Sequence, residues 1–488
     1  MNIQLNQNTT ATDILIPVFS DFDTEELSTF LNTLAGESTK QIISDFKGDA
    51  GESQTVYSSK NRLFLLGLGS KKHFGSVCKI ARQFSIKNKR LLKSEMILNL
   101  THCDEYAQLV SEALINGLIT GTFLIGTLKT TDQTDHPFSS DETSFTVISR
   151  TLTGSTFQAC KKRALAVAES QIRMLDLVNL PSNVKTPEYI ASHITAFSES
   201  TGGFKATILT DDAIWENNLM ALAAVNRGSE ESAQFIILEY SPEIEGTYPS
   251  VGLVGKAVTY DTGGLSIKPS DSMSYMKSDM GGAAAVIGAF EAAVKLKLPV
   301  NLIAIIPVTD NLVDALSVKP GDVINSYSGK TIEVVNTDAE GRLILADGLS
   351  YLVKNFEVDH IIDLATLTGA TIRTLGNQAA GLFSNNDTLA HLLEQTGSEN
   401  GDRLWRFPLW EEYGNDIQSD VADIKNVARS PVAGAIHAAK FLEAFIENHP
   451  SWAHIDMAGV SFGDNDFGKD KGATAWGIRL LVDFLEKV

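Results

Sequence analysis

The chain has 488 residues, of which 43% are hydrophobic, and a formal net charge of −20. This length suffices for at least two domains with large cores. The acidic balance disfavours broad binding to nucleic acids or anionic membranes by simple electrostatics. The longest apolar runs, such as Leu302–Val308, are far too short to span a bilayer. We therefore expect neither a nucleic-acid nor a membrane partner.

The cysteines and the first residues indicate the compartment. Cys78, Cys103 and Cys160 form an odd set without metal-site spacing, as expected of reduced thiols. The opening residues MNIQLNQNTTATD contain neither the basic nor the apolar segment of a secretory signal. Both features predict a cytoplasmic location.

Residues 1–155 predict a small N-terminal α/β domain. The apolar run Leu63–Leu68 is typical of a strand, and Phe74–Asn88 after it is typical of a helix. Such alternation is characteristic of α/β folds. The next stretch, 156–176, has apolar residues at near-helical spacing and predicts a connecting helix.

Residues 177–488 alternate short apolar runs with helical patterns and predict a larger C-terminal α/β domain. Such runs are typical of buried parallel strands, so we expect a central, mostly parallel sheet flanked by helices. The predicted strands are Phe235–Leu238, Val251–Val254, Leu302–Pro307, His360–Leu364 and Ala453–Met457. The predicted helices are Ala283–Leu296, Leu343–Val353, Ile436–Ile446 and Trp476–Leu485. Because ligands bind beyond the carboxyl ends of such strands, Asp261, Asp338 and Thr366 are expected to meet there.

The first of two acidic segments runs from Gly255 to Gly282 and contains Lys256, Asp261, Lys268 and Asp279. Its several glycines suit a loop that approaches a ligand closely. Asp279 comes just before a helical pattern, where negative charge is favourable, so a simple helix cap is the alternative role for its side chain.

The second segment is the octapeptide NTDAEGRL, which contains Asp338, Glu340 and Arg342. Alone, such a pair of acids is more often solvated surface. Together with Asp261 and Asp279, however, it offers four carboxylates, which would repel one another unless cations lay among them. Two divalent ions would satisfy them, in the arrangement that activates water for hydrolysis. Neither segment contains histidine, and an oxygen-rich site suits Mg or Mn without excluding Zn.

Both segments resemble motifs of the leucyl aminopeptidase, or cytosol aminopeptidase, family. NTDAEGRL matches the family signature, and GKAVTYDTGG resembles its second motif, with Tyr260 and Thr262 where Phe and Ser are common. The resemblance covers residues 165–488 and is weaker before residue 155. It implies a metal-dependent aminopeptidase, assembled as a homohexamer, that removes N-terminal Leu and other apolar residues from short peptides. It also implies two divalent metal ions per subunit, Mn or Zn with Mg or Co as alternatives, and a bicarbonate as general base.

Residue roles follow from the resemblance position by position. The implied metal ligands are Lys256, Asp261, Asp279, Asp338 and Glu340. Asp261 and Glu340 would bridge the two metals. Lys268 would contact the substrate carbonyl and the developing oxyanion, and Arg342 would bind the bicarbonate. The implied pocket residues are Met276, Thr366, Gly369 and Ala458.

Alternative roles remain open for several of these residues. Lys256 must lose its proton to bind a metal, which costs about 4.6 kcal/mol at pH 7, so its alternative is a salt bridge to an aspartate. Arg342 has a structural ion pair with Asp338 or Glu340 as its alternative, and Met276 has ordinary core packing. The alternative functions are a Cys-Gly dipeptidase of the same fold and a non-catalytic relative kept for assembly or binding.

Overall fold

The computed structural model describes residues 1–35, 40–131, 134–243 and 246–488. They form two compact units, one of Met1–Ile172 with Glu399–Gly401 and one of Arg173–Ser398 with Asp402–Val488. Both units are α/β, as the sequence predicts. Among the described residues, every helix is too short or too polar to cross a membrane.

The smaller unit is built on a sheet with apolar clusters on both faces. Its strands are β1 Asn2–Leu5, β2 Asp13–Phe19, β3 Ser53–Tyr57, β4 Arg62–Gly69, β5 Glu95–Asn99 and β6 Ser144–Ile148. Its helices are α1 Thr24–Ala35, α2 Lys40–Asp45, α3 Phe74–Asn88 and α4 Ala107–Thr120. The strand order is β1-β6-β5-β2-β4-β3, with only the β3–β4 pair antiparallel among these strands. The predicted strand and helix of this unit are confirmed as β4 and α3.

Successive residues of β2 explain why this sheet is covered on both faces. Leu15 packs in the cluster that includes residues of α3 and α4, whereas Ile14 and Ile16 pack in the cluster that includes residues of α1. Side chains alternate between the faces of a strand, so β2, which is apolar from Ile14 to Phe19, is buried on both faces. Helix α5, Gly154–Asn179, contains the stretch 156–176, and the two units divide within it, after Ile172.

The strands of the larger unit are β7 Phe204–Thr210, β8 Gln234–Tyr240, β9 Ser250–Gly255, β10 Ala257–Asp261, β11 Asn301–Asn311, β12 Val323–Asn325, β13 Thr331–Glu333, β14 His360–Ala365, β15 Ala380–Ser384, β16 Leu404–Arg406, β17 Ile424–Lys425, β18 Trp452–Asp456, β19 Phe462–Gly463 and β20 Gly472–Ala473. Its helices after α5 are α6 Pro187–Thr201, α7 Asp211–Glu216, α8 Met220–Asn226, α9 Ser270–Met273, α10 Gly281–Leu296, α11 Gly341–Asn355, α12 Gly369–Leu375, α13 Asp387–Asn400, α14 Gly434–Glu443 and α15 Ile478–Leu485. Short 3₁₀ helices lie at Asp104–Tyr106, Pro137–Ser139, Met276–Ser278 and Glu411–Ile417.

The central sheet of this unit has the order β16-β15-β18-β14-β9-β11-β8-β7, and β10 pairs with β11. Its middle strands β18, β14, β9 and β11 are parallel neighbours, while β7, β8 and β15 add antiparallel pairs. All five predicted strands lie in this sheet. The predicted helices are also found, with six of their eight ends shifted by two or three residues. Helix α15 starts only after Gly477, whose φ of +90° interrupts the helical backbone, and α14 stops at Glu443 although Phe445 and Ile446 remain buried.

Two glycines of β9 allow helices to pack closely on the sheet. A Cβ atom at Gly255 would lie 2.7 Å from Cα of Ala283 in α10, and one at Gly252 would lie 2.5 Å from a side-chain carbon of Leu352 in α11. Neither position has room for a larger residue. The start of α10 is thereby held at the carboxyl end of β9, where the acidic segments also lie.

Candidate active site

A cavity of about 530 Å³ lies at the carboxyl ends of the central strands. Asp261 is the last residue of β10, Thr366 directly follows β14, and Lys256 occupies the one-residue break between β9 and β10. The predicted site residues that line this cavity are Lys256, Asp261, Lys268, Met276, Asp279, Asp338, Glu340, Thr366, Gly369 and Ala458. The structure thus brings together residues that are up to 202 positions apart, from Lys256 to Ala458.

Asp338 reaches the cavity by a different route from the predicted one. The strand before it, β13, pairs with β12 and β17 in a small separate sheet. Asp338 therefore meets Asp261 and Thr366 in the cavity as expected, but it does not follow a strand of the central sheet. Thr337 connects the second acidic segment, NTDAEGRL, to the first, Gly255–Gly282. Its hydroxyl donates to the carbonyl of Gly263 at 2.7 Å and accepts the N–H of Ser266 at 2.8 Å.

Lys256 is buried between two carboxylates. Its Nζ lies 2.7 Å from Asp279 Oδ2 and 2.9 Å from Glu340 Oε1, and it donates to the carbonyl of Thr366 at 3.1 Å. Burial opposes the charged form, but Asp279 and Glu340 outweigh it and raise the pKa of Lys256 above its ordinary value. The salt bridge that the sequence left as an alternative is therefore present in this structure.

Lys268 links the other two carboxylates. Its Nζ lies 2.7 Å from Asp261 Oδ2 and also pairs with Asp338 Oδ1. Asp261, Asp338 and Glu340 each place one carboxylate oxygen within 4.8 Å of the others, which is close enough to hold a common cation. This is the arrangement of oxygen ligands that divalent metals require.

The carboxylates are incompletely neutralised by the two lysines. Burial raises the pKa of Asp279 to about 8, and burial together with repulsion from Glu340 raises that of Asp261 to about 6. Lys256 and Lys268 nevertheless overcome the effect of burial on Glu340 and lower its pKa. Additional positive charge would relieve the remaining repulsion, so the donor set fits divalent cations.

Asp279 does not cap helix α10. The residue that precedes the helix is Met280, whose side chain makes no capping hydrogen bond. The Asp279 carboxylate instead accepts the hydroxyl of Thr366 at 2.6 Å through Oδ1. The helix-cap alternative is wrong because the chain turns between Asp279 and the helix and directs the carboxylate toward Lys256.

Asn311 is a polar residue of the site that the sequence did not indicate. Its Nδ2 donates to Asp261 Oδ1 at 2.8 Å and to the carbonyl of Thr337 at 3.1 Å, so it connects the two acidic segments. Asn311 ends β11 directly beside Asp261 in the parallel β10–β11 pair. Its position as a polar residue at the end of a long apolar strand is the signal that would have found it.

The cavity is also lined by two cationic side chains and by several aromatic or aliphatic side chains that the sequence did not indicate. These lining residues are Tyr275, Ile372, Arg373, Phe462 and Lys471. Nη1 of Arg373 lies 4.0 Å from where a Cβ of Gly369 would be, and Lys471 stands over the Tyr275 ring at 5.5 Å from its centroid. Neither Arg373 nor Lys471 lies in an acidic segment. Only the folding of the chain brings these two side chains to the cavity.

Arg342 lies behind the cavity lining on helix α11. Its Nη1 donates to the carbonyl of Asn426 at 2.7 Å, and its buried Nε has no hydrogen-bond partner among the described residues. Arg342 also forms no ion pair with Asp338 or Glu340 among the described residues. Burial lowers its pKa to about 10, although the charges of Glu340 and Asp456 act in the opposite direction.

Known proteins are similar along nearly the whole chain. The profile of the cytosol aminopeptidase family, catalytic domain, matches residues 173–482. A probable cytosol aminopeptidase of Chlorobaculum tepidum is 41% identical over 459 residues, which cover 91% of this chain and 90% of that protein. A probable cytosol aminopeptidase of Chlorobium luteolum is 40% identical over 495 residues and covers 97% of both chains.

Solved structures show the same fold. A mutant of tomato leucine aminopeptidase superposes with a TM-score of 0.89 at 29% identity and covers 100% of this chain and 97% of that one. The bottromycin maturation enzyme BotP, in complex with Mn, superposes with a TM-score of 0.82 at 27% identity and covers 98% of this chain and 99% of that one. The chain therefore belongs to the cytosol aminopeptidase family of metal-dependent peptidases and is an aminopeptidase.

Proposed function

We propose that this aminopeptidase removes Leu and other apolar residues from the N-termini of short peptides with the help of two divalent metal ions. The observation that carries the proposal is the cluster of Asp261, Asp338 and Glu340, whose carboxylate oxygens lie within 4.8 Å of one another in one cavity. The residues that would hold the metals are Lys256, Asp261, Asp279, Asp338 and Glu340.

Bound there, two divalent cations would lower the pKa of a water toward neutrality and polarise the scissile carbonyl. Asp261 and Glu340, which lie between the two lysines, would serve both ions. Oxygen donors are compatible with several metals. Mn or Zn is proposed, with Mg and Co as alternatives, and the Mn complex of BotP supports Mn.

Lys256 and Lys268 have different proposed tasks. As a ligand, Lys256 would exchange its proton for a metal, a loss that a neighbouring cation makes easier. Lys268 is proposed to keep its proton: burial opposes its charge, but Asp261 and the other acids outweigh burial and raise its pKa. With those acids engaged by metal, its ammonium group would donate to the oxyanion of the tetrahedral intermediate, and one such donor is worth roughly 3–4 kcal/mol.

Arg342 is the proposed binding site of a bicarbonate that transfers the proton from water to the leaving amine. Its unpartnered Nε and its lack of an ion pair among the described residues support this role. A guanidinium group binds planar oxyanions through two parallel hydrogen bonds. Neither acidic segment contains histidine that would serve as the base instead.

The proposed pocket for the first side chain is formed by Met276, Thr366, Gly369 and Ala458. They lie on one cavity with the carboxylates, and Met and Ala give it apolar lining that suits Leu. Gly369 has no neighbour closer than 4.0 Å around its Cβ position, which leaves space there for substrate.

We also propose that the chain assembles as a homohexamer and acts in the cytoplasm. The larger unit exposes the bulky apolar side chains of Trp405, Trp410, Val421 and Val432. Aromatic side chains such as tryptophan are enriched at interfaces between protein chains. Sedimentation of the purified protein would test the assembly, since a monomer at micromolar concentration would contradict it.

The decisive experiment is hydrolysis of leucine p-nitroanilide before and after chelation, with Mn, Zn, Mg or Co restored. Activity should fall on chelation, return with metal, and be lost in Asp338→Ala. Asp420→Ala is the matched control, since its side chain is 96% exposed and does not line the cavity. Folded, metal-loaded protein that is inactive here but cleaves Cys-Gly would replace the leucyl assignment by the dipeptidase alternative.

A further inference from the structure

Asp456 is a buried carboxylate behind the proposed side-chain pocket. It ends β18 and lies beside Ala365, the last residue of β14. Its side chain is fully buried, and among the described residues it forms no ion pair. Instead it accepts hydrogen bonds from the loop that leaves β14 and from the loop that follows β18.

Five hydrogen bonds converge on this carboxylate. Oδ1 accepts the backbone N–H groups of Leu367 at 3.1 Å, Thr368 at 3.4 Å and Ala458 at 3.3 Å. Oδ2 accepts the hydroxyls of Thr368 and Thr371, each at 2.6 Å. The oxygens of one carboxylate can satisfy about this number of donors. Asp456 is therefore the common acceptor for the turn from Leu367 to Thr371 and for Ala458.

The residues held in this way form one wall of the cavity. Leu367, Thr368 and Ala458 line it directly. Thr368 also caps helix α12 by accepting the N–H of Thr371 at 3.2 Å, which fixes where Gly369 enters the cavity. The position of this wall therefore depends on Asp456.

The same turn reaches the acidic cluster through Thr366, the neighbour of Leu367. The Thr366 hydroxyl donates to Asp279 Oδ1 at 2.6 Å, and its carbonyl accepts from Lys256 Nζ at 3.1 Å. A displacement of the turn would thus change both the pocket and the acids beside it.

We infer that Asp456 is a positioning residue that sets the specificity for the substrate's first side chain by holding the turn from Leu367 to Thr371 together with Ala458. This inference rests on the proposed assignment of the pocket. Asp456 does not touch substrate, since it does not line the cavity. Its effect arises because removal of the carboxylate leaves three N–H groups and two hydroxyls without their acceptor, and buried donors do not remain unpaired.

The test is kcat/KM for a panel of dipeptides X-Gly, with X as Ala, Leu, Met or Cys, in the metal-loaded enzyme. In Asp456→Ala, the Leu-to-Ala ratio of kcat/KM should fall at least fivefold, mainly through KM for Leu-Gly. Asp456→Asn keeps one oxygen for the three N–H groups, and the threonine hydroxyls can turn to accept its amide, so it should retain more of the ratio. Thr371→Val removes a single hydroxyl and should shift the ratio in the same direction by a smaller factor.

Asp363→Asn is the matched control. Asp363 is equally buried at the centre of β14, where it pairs with His454 Nδ1 at 2.5 Å and accepts from Trp452 Nε1 at 2.8 Å, away from the cavity. It should lower the melting temperature without changing the Leu-to-Ala ratio. An unchanged ratio in both Asp456 variants and in Thr371→Val would overturn the inference, even if they melt earlier. A wild-type enzyme without preference for Leu would contradict the proposed function instead, and the panel measures that separately.

Discussion

Gly341 packs directly against the ammonium group of Lys256, so that a Cβ atom at position 341 would lie 2.6 Å from Nζ. The first residue of helix α11 thus sets the place of the lysine that joins Asp279 to Glu340. The glycine of NTDAEGRL is required here for space, because its φ is not in the left-handed region.

Gly341→Ala should therefore inactivate the enzyme without unfolding it. The methyl group would displace the Lys256 side chain and separate it from Asp279, while alanine itself favours the helix by up to about 1 kcal/mol. We expect kcat/KM for leucine p-nitroanilide to fall at least tenfold, with circular dichroism showing that the variant remains folded. Gly434→Ala is the control, because its new Cβ would meet only Ala370 at 3.6 Å. Full activity of Gly341→Ala would show that the position of Lys256 does not matter.

Asn311→Ala should weaken metal binding more than it weakens the fold. Asn311 donates to Asp261 Oδ1 at 2.8 Å, and loss of such a partner of a ligand typically costs 10–100-fold in metal affinity. Competition with a chelator would measure the affinity. Asn301→Ala, at the other end of β11, should keep wild-type affinity, since its amide donates to Tyr248 and Ser250 outside the cavity. Equal affinities in the two variants would disprove the role of Asn311.

Arg373→Gln should reduce the advantage of substrates with a free carboxylate. Arg373 lines the cavity, and none of its contacts among the described residues is an ion pair. A partly exposed ion pair with the C-terminus of a dipeptide is worth about 0.2–1 kcal/mol. We expect the ratio of kcat/KM for Leu-Gly over Leu-Gly amide to fall about two- to fivefold at low salt.

The control for this prediction is Arg429→Gln. Its guanidinium is 83% exposed and does not line the cavity, so the ratio should not change. Because salt screens such pairs, the difference between wild type and Arg373→Gln should shrink at high ionic strength. A difference that is independent of salt would contradict an ion pair.

Lys185 should make the stability of the protein depend on pH above neutrality. Its buried Nζ donates to the carbonyls of Val178 at 3.1 Å and Lys277 at 2.5 Å, and burial lowers its pKa to about 7 from an ordinary 10.5. Between these values the unfolded chain binds more protons than the folded one, so the free energy of unfolding should rise with pH, by up to about 1.4 kcal/mol per pH unit.

Denaturant titrations at pH 7 and pH 9 would measure this effect. Lys185→Met should be less stable than wild type at both values, because the carbonyls lose their donor, but it should lack this rise with pH. Lys205→Met, which removes an exposed lysine paired with Glu239 at 2.7 Å, should keep the wild-type slope. A wild-type slope in Lys185→Met would show that other groups cause the pH dependence.

The fold was largely accessible from the apolar pattern. Runs such as Leu302–Pro307 and Val251–Val254 are apolar at consecutive positions because their strands are buried on both faces, and both lie in the central sheet as predicted. The ends of helices α14 and α15 were less predictable. Phe445 is buried and apolar, so it continues the helical spacing of apolar residues beyond the point where the helix ends. The apolar pattern does not show where the backbone leaves the helix.

The α/β fold, the two acidic segments and the family can be predicted from the chain alone, because burial and charge leave direct patterns along it. Three features required the folded arrangement: Asp338 comes from a separate small sheet, Asp279 faces Lys256 rather than capping α10, and Asn311 and Asp456 hydrogen-bond to residues of the cavity. These features are not predictable because a hydrogen bond or ion pair depends on which strand ends are neighbours. That adjacency follows from how the whole sheet is ordered and has no signature in any local stretch of residues.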